Sequence, residues 1–494
     1  MHAARTAARK PEGAREPEEA REPEGTTDRG HRTRGGFLLL GGVQMTLIFT
    51  LAALAVPLPR IGAEFRLDRA DLILLSAAYG LTFAGLLLLG GRLADRFGGR
   101  RTLTAGLVVF GAASAAAPLA PGYEALLAAR FGQGVGAALV APAAMAVLRA
   151  LFPAPAAYGR AMATWGGLSV LGATAGNLLS GVISAASSWR GTFAVPVAVT
   201  LAALFLAPRL LPAPPPGTGQ ALDPPGTGRT LDLPGAGRTL DLPGAGRTLD
   251  LPGALLATAG ITLASFGLVL TDAHPWGSAP VLVPLLTGLA LLAAFAAVER
   301  RTADPLLPPD FLRDGRRLLG LAAIGLTAAG TATVFVLLSL ALQEGRGWSA
   351  LLTSAAFVPF AVALLGSGRL AGPLIGRFGP GRVTGAGLGT AAAGLALLAA
   401  TGFDGSVPYA YGLLPGLLLL PAGGALSFAG AAVLATDGVP AHRAGLAGGV
   451  LNTAMELGPT VLFAALLTLG GDAVSLAAAA VLFTALAVTT IRTK

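Results

Sequence analysis

Residues 91–101 read Gly91-Arg92-Leu93-Ala94-Asp95-Arg96-Phe97-Gly98-Gly99-Arg100-Arg101. The pattern returns 281 residues later as Gly372-Pro373-Leu374-Ile375-Gly376-Arg377-Phe378-Gly379-Pro380-Gly381-Arg382. Without a gap, Gly91, Leu93, Arg96, Phe97, Gly98 and Arg101 recur as Gly372, Leu374, Arg377, Phe378, Gly379 and Arg382. Each copy joins two long apolar runs. A short basic turn repeated in corresponding places marks a chain built of two related halves. In a helical membrane protein, such parallel repeats point to a transporter.

The surrounding composition demands a bilayer. Of 494 residues, 53% are hydrophobic and 12% charged, with a mean hydropathy of +0.69; soluble domains carry about 25% charged residues. Runs of about 20 apolar residues suffice to span, and they fall near 37–58, 72–91, 102–120, 124–148, 160–184, 192–211, 253–271, 279–298, 318–341, 351–372, 383–401, 409–434, 443–468 and 473–491. These Leu/Ala runs lack the alternation of barrel strands, which leaves helices. The expected fold is an all-α integral membrane protein with about 14 transmembrane helices. Its organisation is a disordered cytoplasmic tail (1–36), a six-helix bundle (37–211), a Pro/Gly-rich loop (212–252), two extra spans (253–298), a cytoplasmic linker (299–317) and a second six-helix bundle (318–494).

Charge sets the orientation. With both termini inside, the outer loops hold only Arg60, Arg66, Arg69, Arg190 and Arg346 of the 35 Lys and Arg residues. Nearly all the others lie inside, a positive-inside bias that places both copies of the turn in the cytoplasm. The net charge of +9 therefore reflects topology, and no nucleic-acid partner is expected. Cysteine is absent, which excludes disulfides and thiolate chemistry. The four histidines (His2, His31, His274, His442) are scattered, so no metal and no cofactor are expected. Within the loop, Leu231–Thr239 repeats at Leu240–Thr248, and a third start, Leu249-Asp250-Leu251-Pro252-Gly253-Ala254, runs into the seventh span. A tandem duplication in a tolerant loop accounts for it, since added loop length costs little.

These motifs resemble the major facilitator superfamily, in particular its fourteen-helix drug:proton antiporter branch. Residues 91–101 match the family's signature between helices 2 and 3. Leu126, Arg130, Gln133, Gly134, Gly136 and Ala137 match its fourth helix, and Trp189-Arg190 with Phe193 matches the start of the sixth. In the second half, Leu342-Gln343 with Gly347-Trp348-Ser349, Phe357-Val358-Pro359 and Ala444–Gly449 with Asn452-Thr453 also match. The fifth helix keeps the glycines of the antiporter signature at Gly172, Gly176 and Gly181 but not its prolines. The first helix shows Thr50, Ala52 and Ala55 where the family carries Asp, Thr and Asn.

Three groups of residues are candidate sites. The resemblance implies that the turn (Gly91, Arg92, Asp95, Arg96, Gly98, Arg100, Arg101) latches the cytoplasmic gate. Asp95 can pair with Arg92 or Arg96, or face the positive N-terminus of the thirteenth helix, which begins near His442. The second copy carries Gly376 in place of Asp95, so the latch should be one-sided. Arg130 must face the bundle interior or snorkel to the outer interface. It stays charged, so it can bias an acid but not carry the proton. With Gln133 it is a candidate for proton coupling or for lining a cavity, as is Asn177. Gly445, Gly449, Asn452 and Glu456 form a small, polar stripe on the thirteenth helix, and Glu456 is the one acid near mid-span, a candidate for proton handling or for a structural hydrogen bond. Gly134, Gly172, Gly176, Gly445 and Gly449 are helix-packing positions.

The expected function is secondary active export of a hydrophobic or amphipathic small molecule, with the proton as coupling ion and the lipid bilayer of a bacterial inner or plasma membrane as the setting. No Walker A sequence is present, and no enzymatic site is expected. Two alternatives remain: a transporter of the same fold with another coupling or direction, or a membrane scaffold that does not transport. Oligomeric state is open, and a monomer suffices.

Overall fold

The computed structural model describes residues 25–54, 57–212, 250–272, 274–302, 305–348, 350–467 and 471–492. The tail up to residue 24 and residues 213–249, which hold the loop repeats, lie outside the described residues. Within them the chain is helical, with no strand. The first half contains α1 (Gly25–Ala52), α2 (Leu58–Phe65), α3 (Arg69–Phe97), α4 (Gly99–Ala116), α5 (Tyr123–Leu151), α6 (Pro155–Ala186) and α7 (Ala194–Leu210). Next come α8 (Leu251–Val269), α9 (Ala279–Glu299) and α10 (Pro309–Arg313). The second half contains α11 (Gly315–Leu340), α12 (Ala350–Ala356), α13 (Val358–Phe378), α14 (Pro380–Thr401), α15 (Tyr409–Gly412), α16 (Leu414–Thr436), α17 (Ala444–Leu467) and α18 (Asp472–Arg492).

Twelve helices among the described residues are long and apolar enough to cross a bilayer. Two further long helices, α6 and α17, are not among these twelve, and the expected count of fourteen is not confirmed.

The duplication seen in the sequence is visible in the packing. In the first half α1 packs on α6, α5 on both α3 and α4, and α4 on α7; in the second, α11 packs on α17, α16 on both α13 and α14, and α14 on α18. The halves meet where α3 crosses α17 and α6 crosses α13. Small residues let these helices approach, the usual route to helix association in lipid. A side chain at Gly423 would fall on the Gly387 carbonyl, and one at Gly172 on that of Met45. Burial grades outward: 78% of the α16 span is buried against 17% of α9, so α16 is core and α9 faces lipid. The extra pair is tied in at α8, where the Thr262 hydroxyl donates to the Leu81 carbonyl of α3 at 3.3 Å. At its base Asp250 caps α8 by accepting from Gly253 N, and Glu299 accepts from Leu306 N and Leu307 N.

Several expected boundaries are corrected. Helix α1 begins at Gly25, so the end of the supposedly disordered tail (1–36) is helical. It stops at Ala52, not 58, and Pro57 precedes the separate helix α2, since proline has no N–H to continue a helix. The span expected at 351–372 is Val358–Phe378, with α12 set apart. The linker 299–317 contains α10, and α11 starts at Gly315. The repeated element is also less of a turn than expected: α3 runs through Phe97 and α4 resumes at Gly99.

Candidate functional site

The repeated element reduces to a one-residue break. Gly98 has φ +89° and Gly379 φ +83°, a backbone region essentially confined to glycine. Each break turns α3 into α4, or α13 into α14, and sets the preceding turn of helix against the opposite half. Arg96 and Arg377 lie over Phe97 and Phe378, with cation-to-ring distances of 5.6 and 5.2 Å. Arg100 donates to the carbonyls of Pro208 and Leu211 at the end of α7. Arg92 is half-buried and Arg101 exposed.

The copies diverge at Asp95. Its Oδ1 accepts from Gly445 N at 2.6 Å and its Oδ2 from Leu446 N at 2.8 Å. These N–H groups belong to the first turn of α17, where the helix leaves its donors unsatisfied. A carboxylate there meets the positive end of the helix dipole, worth about 0.3–1 kcal/mol, and each hydrogen bond to a charged group adds about 1.5–3 kcal/mol. The contact exists because α3 and α17 carry no side chains where they cross. A Cβ at Gly445 would fall on the Gly91 carbonyl, and one at Gly449 would press on that of Leu87. At the matching crossing, a Cβ at Gly372 would strike the Arg160 side chain and one at Gly376 would come 3.8 Å from Ala156 Cβ, with no carboxylate.

The same crossing leads inward. The helices run antiparallel, Gly445 beside Gly91 and Gly449 beside Leu87, so four-residue steps bring Thr453 and Leu457, the neighbours of Asn452 and Glu456, level with Phe83 and Tyr79. Glu456 lies within electrostatic reach of Tyr79. Asn452 is fully buried; its Nδ2 donates to Gly448 O at 2.8 Å, while its Oδ1 has no hydrogen-bond partner among the described residues. Arg130 lies over Tyr79, its guanidinium carbon 5.0 Å from the ring centre. Arg130 is 1% exposed, so it does not snorkel to the interface. Its Nη1 donates to Thr50 O and Gln133 Oε1, both at 3.1 Å, and Gln133 Nε2 donates to Ser114 Oγ at 2.9 Å. Nε and Nη2 are buried without partners among the described residues. Gly134 makes room, since a Cβ there would strike Thr82 and the Tyr79 carbonyl. The arrangement joins a cation of the first half, through one aromatic ring, to an acid of the second.

Gly172 and Gly176 lie apart from this cluster, packing α6 on α1 against the carbonyls of Met45 and Phe49. The side chain of Asn177 lies outside the described residues. Sequence reasoning missed Tyr79. The signal was available: it is one of five tyrosines, set within a span, and its hydroxyl, buried in an apolar helix, had to find a partner, here Leu47 O at 3.0 Å. It also missed Glu64, which holds the opposite end of the first half together. Glu64 accepts from Trp189 Nε1 at 2.7 Å and pairs with Arg190 at 2.7 Å, while Arg190 Nε donates to Pro118 O. The Arg190 and Trp189 donors hold the Glu64 carboxyl below its usual range.

Residues 38–463 match the family model for the Major Facilitator Superfamily. The chain is 34% identical to a cephamycin export protein of Amycolatopsis lactamdurans, over 91% of this chain and 88% of that one. It is 33% identical to a puromycin resistance protein of Streptomyces alboniger, over 86% and 79% respectively. Among solved structures it resembles the proton:xylose symporter XylE, with a TM-score of 0.63 at 15% identity over 94% of this chain and 96% of that one; at that identity the likeness speaks for the fold alone. On the family match and these relatives, joined to two packed halves and a duplicated glycine break, the chain belongs to the Major Facilitator Superfamily.

Proposed function

We propose that this protein is a secondary active exporter of hydrophobic or amphipathic small molecules, driven by protons entering across a bacterial plasma membrane. The observation that carries the reading is the buried Arg130, set over the Tyr79 ring, with Glu456 of the opposite half within electrostatic reach of that ring, on the same α3 whose other end carries the Asp95 latch. An acid that meets the opposite half at a crossing fastened on one side can make closure depend on its proton. Arg130, permanently charged, is the cation that the Tyr79 ring faces. Relatives named for cephamycin export and for resistance to puromycin and lincomycin support the substrate class; their compounds differ, so the class and not a compound is carried over.

In this reading α6 and α17 also cross the bilayer, giving fourteen crossings: a bundle on each side, with α8 and α9 between them. Both termini and both glycine breaks then face the cytoplasm, in agreement with the arginine distribution. Helices α6 and α17 are both long enough to span, with 32 and 24 residues, and their small residues suit close helix packing.

The test uses everted vesicles from a host lacking its own efflux pumps. Wild-type vesicles should accumulate puromycin and dissipate an imposed pH gradient, and Glu456→Gln should accumulate it no faster with the gradient than without. Full gradient dependence in Glu456→Gln would remove that residue from coupling. Absence of any gradient-driven accumulation by the wild type would reject proton-coupled export.

A further inference from the structure

Beside the latch, on the side of the glycine breaks, lies a cavity of about 310 Å³ that neither the latch nor the interior cluster uses. It is lined from both halves: Met145 and Arg149 at the end of α5, Tyr158 at the start of α6, Thr436 at the end of α16, and Ala444 and Gly448 on the first turns of α17. The volume falls in the range of small-molecule sites, about 300–1,000 Å³. The lining is apolar apart from three side chains. Tyr158 and Thr436 hydrogen-bond to each other, and Thr436 also donates to Ala432 O at 2.8 Å. Arg149 is the one charged residue in the lining.

Arg149 sits with its guanidinium carbon 4.8 Å from the centre of the Tyr158 ring. Its Nη1 is buried and has no hydrogen-bond partner among the described residues. A half-buried guanidinium with one buried, unbonded N–H and no carboxylate in an otherwise apolar lining is chemically a receiver for an anion attached to a hydrophobic body. The first turn of α17 adds to this, because its positive end lies in the same wall. That turn is shared: Gly445 and Leu446 hold Asp95, while Ala444 and Gly448 face the cavity.

We propose that this cavity captures anionic amphipathic substrates on the latch side, with Arg149 binding a carboxylate or sulfonate and Met145 and the α17 wall taking the apolar body. The proposal rests on the export reading and narrows its substrate class. A free organic anion fits better than a lipid headgroup, because residues of both halves line the cavity, as in a site between the two bundles. An occupant would touch the turn that holds the latch, so capture and release of Asp95 are mechanically linked.

Binding decides this without transport. The full chain, reconstituted in nanodiscs of neutral phosphatidylcholine, is titrated with dansylglycine and with its uncharged amide, dansylglycinamide, by fluorescence. Wild-type protein should prefer the carboxylate. Arg149→Gln should lower the ratio of the two affinities about tenfold, the scale of one charge-assisted hydrogen bond, and Arg149→Lys should restore part of it. Absence of dansylglycine binding to the wild type, or an unchanged ratio in Arg149→Gln, overturns the proposal. Loss of dansylglycine binding when anionic phosphatidylglycerol is added to the discs overturns the assignment to a free substrate in favour of a headgroup. Failure of the export reading shows separately, in wild-type vesicles that ignore a pH gradient.

Discussion

The two copies of the repeated element share a backbone and differ in chemistry. Both break the helix at one glycine, with φ +89° at Gly98 and +83° at Gly379, and both lay an arginine over the preceding phenylalanine. Only the first places a carboxylate on a helix N-terminus; the second has Gly376 at that position and rests against Arg160 and Ala156. Geometry is therefore the duplicated property and fastening is not. A fold of two like halves needs both breaks to build its hairpins, whereas a gate needs one fastening strong enough to hold and weak enough to release.

The comparison is broken most forcefully at Asp95. Asp95→Asn removes the charge and one of two acceptors, a loss of about 1.5–3 kcal/mol. The closed state should be depopulated tenfold or more while the protein remains in the membrane. The check is thiol labelling of a cysteine placed at Ala444, which the cysteine-free chain makes unambiguous, together with transport rate. Unchanged labelling would show that the carboxylate does not fasten the crossing.

The shared backbone gives the next effect. Gly98→Ala and Gly379→Ala should each cost about 1–3 kcal/mol, since both force alanine into a region reserved for glycine. The two losses in thermal stability should be alike. A large difference would mean that the copies are not geometrically equivalent.

A smaller change should convert the second copy toward the first. Gly376→Asp puts a carboxylate four residues after Gly372, facing the first turn of α6, as Asp95 follows Gly91 and faces α17. A helix-terminus charge is worth about 0.3–1 kcal/mol, so transport should slow a fewfold through a second fastening. Faster transport would contradict the one-sided latch.

The smallest effect is expected at the far end of the first half, where a more exposed ion pair takes the place of the half-buried latch. Glu64→Gln should lower the melting temperature at neutral pH only slightly, because exposed pairs contribute about 0–1 kcal/mol. The Glu64 carboxyl titrates below its usual range in the folded protein. Its contribution is therefore present above the ordinary glutamate pKa and is lost as the pH falls through the lowered folded value. Melting curves of wild type and variant should converge in acid; a gap that persists there would assign the effect to packing against Trp189.

Much of the fold was legible because lipid leaves the backbone few options. Apolar runs of spanning length must be helices, and the two glycine-arginine repeats announced the duplication. The Asp95 latch was legible as a possibility, since a lone carboxylate in a basic motif needs a positive partner, yet the sequence offered Arg92, Arg96 and a helix terminus alike. The boundaries near Gly25, Ala52 and Val358 were not legible, because polar residues can continue a helix and apolar residues can fill a bend without changing the hydropathy pattern. Tyr79, Glu64 and the Arg149 cavity were missed for a common reason: each is defined by a neighbour far along the chain.

The sequence by itself determined that this protein is a membrane-embedded helical duplication with asymmetric charge at its repeated breaks, because composition, period and glycine chemistry act locally. Tertiary structure alone decided that Asp95 meets Gly445 and Leu446, that Arg130 is buried over Tyr79, and that Glu456 comes within electrostatic reach of that ring from the other half. Those pairings depend on how closely glycine-lined helices approach and in what register they cross, and both are settled by packing between segments hundreds of residues apart.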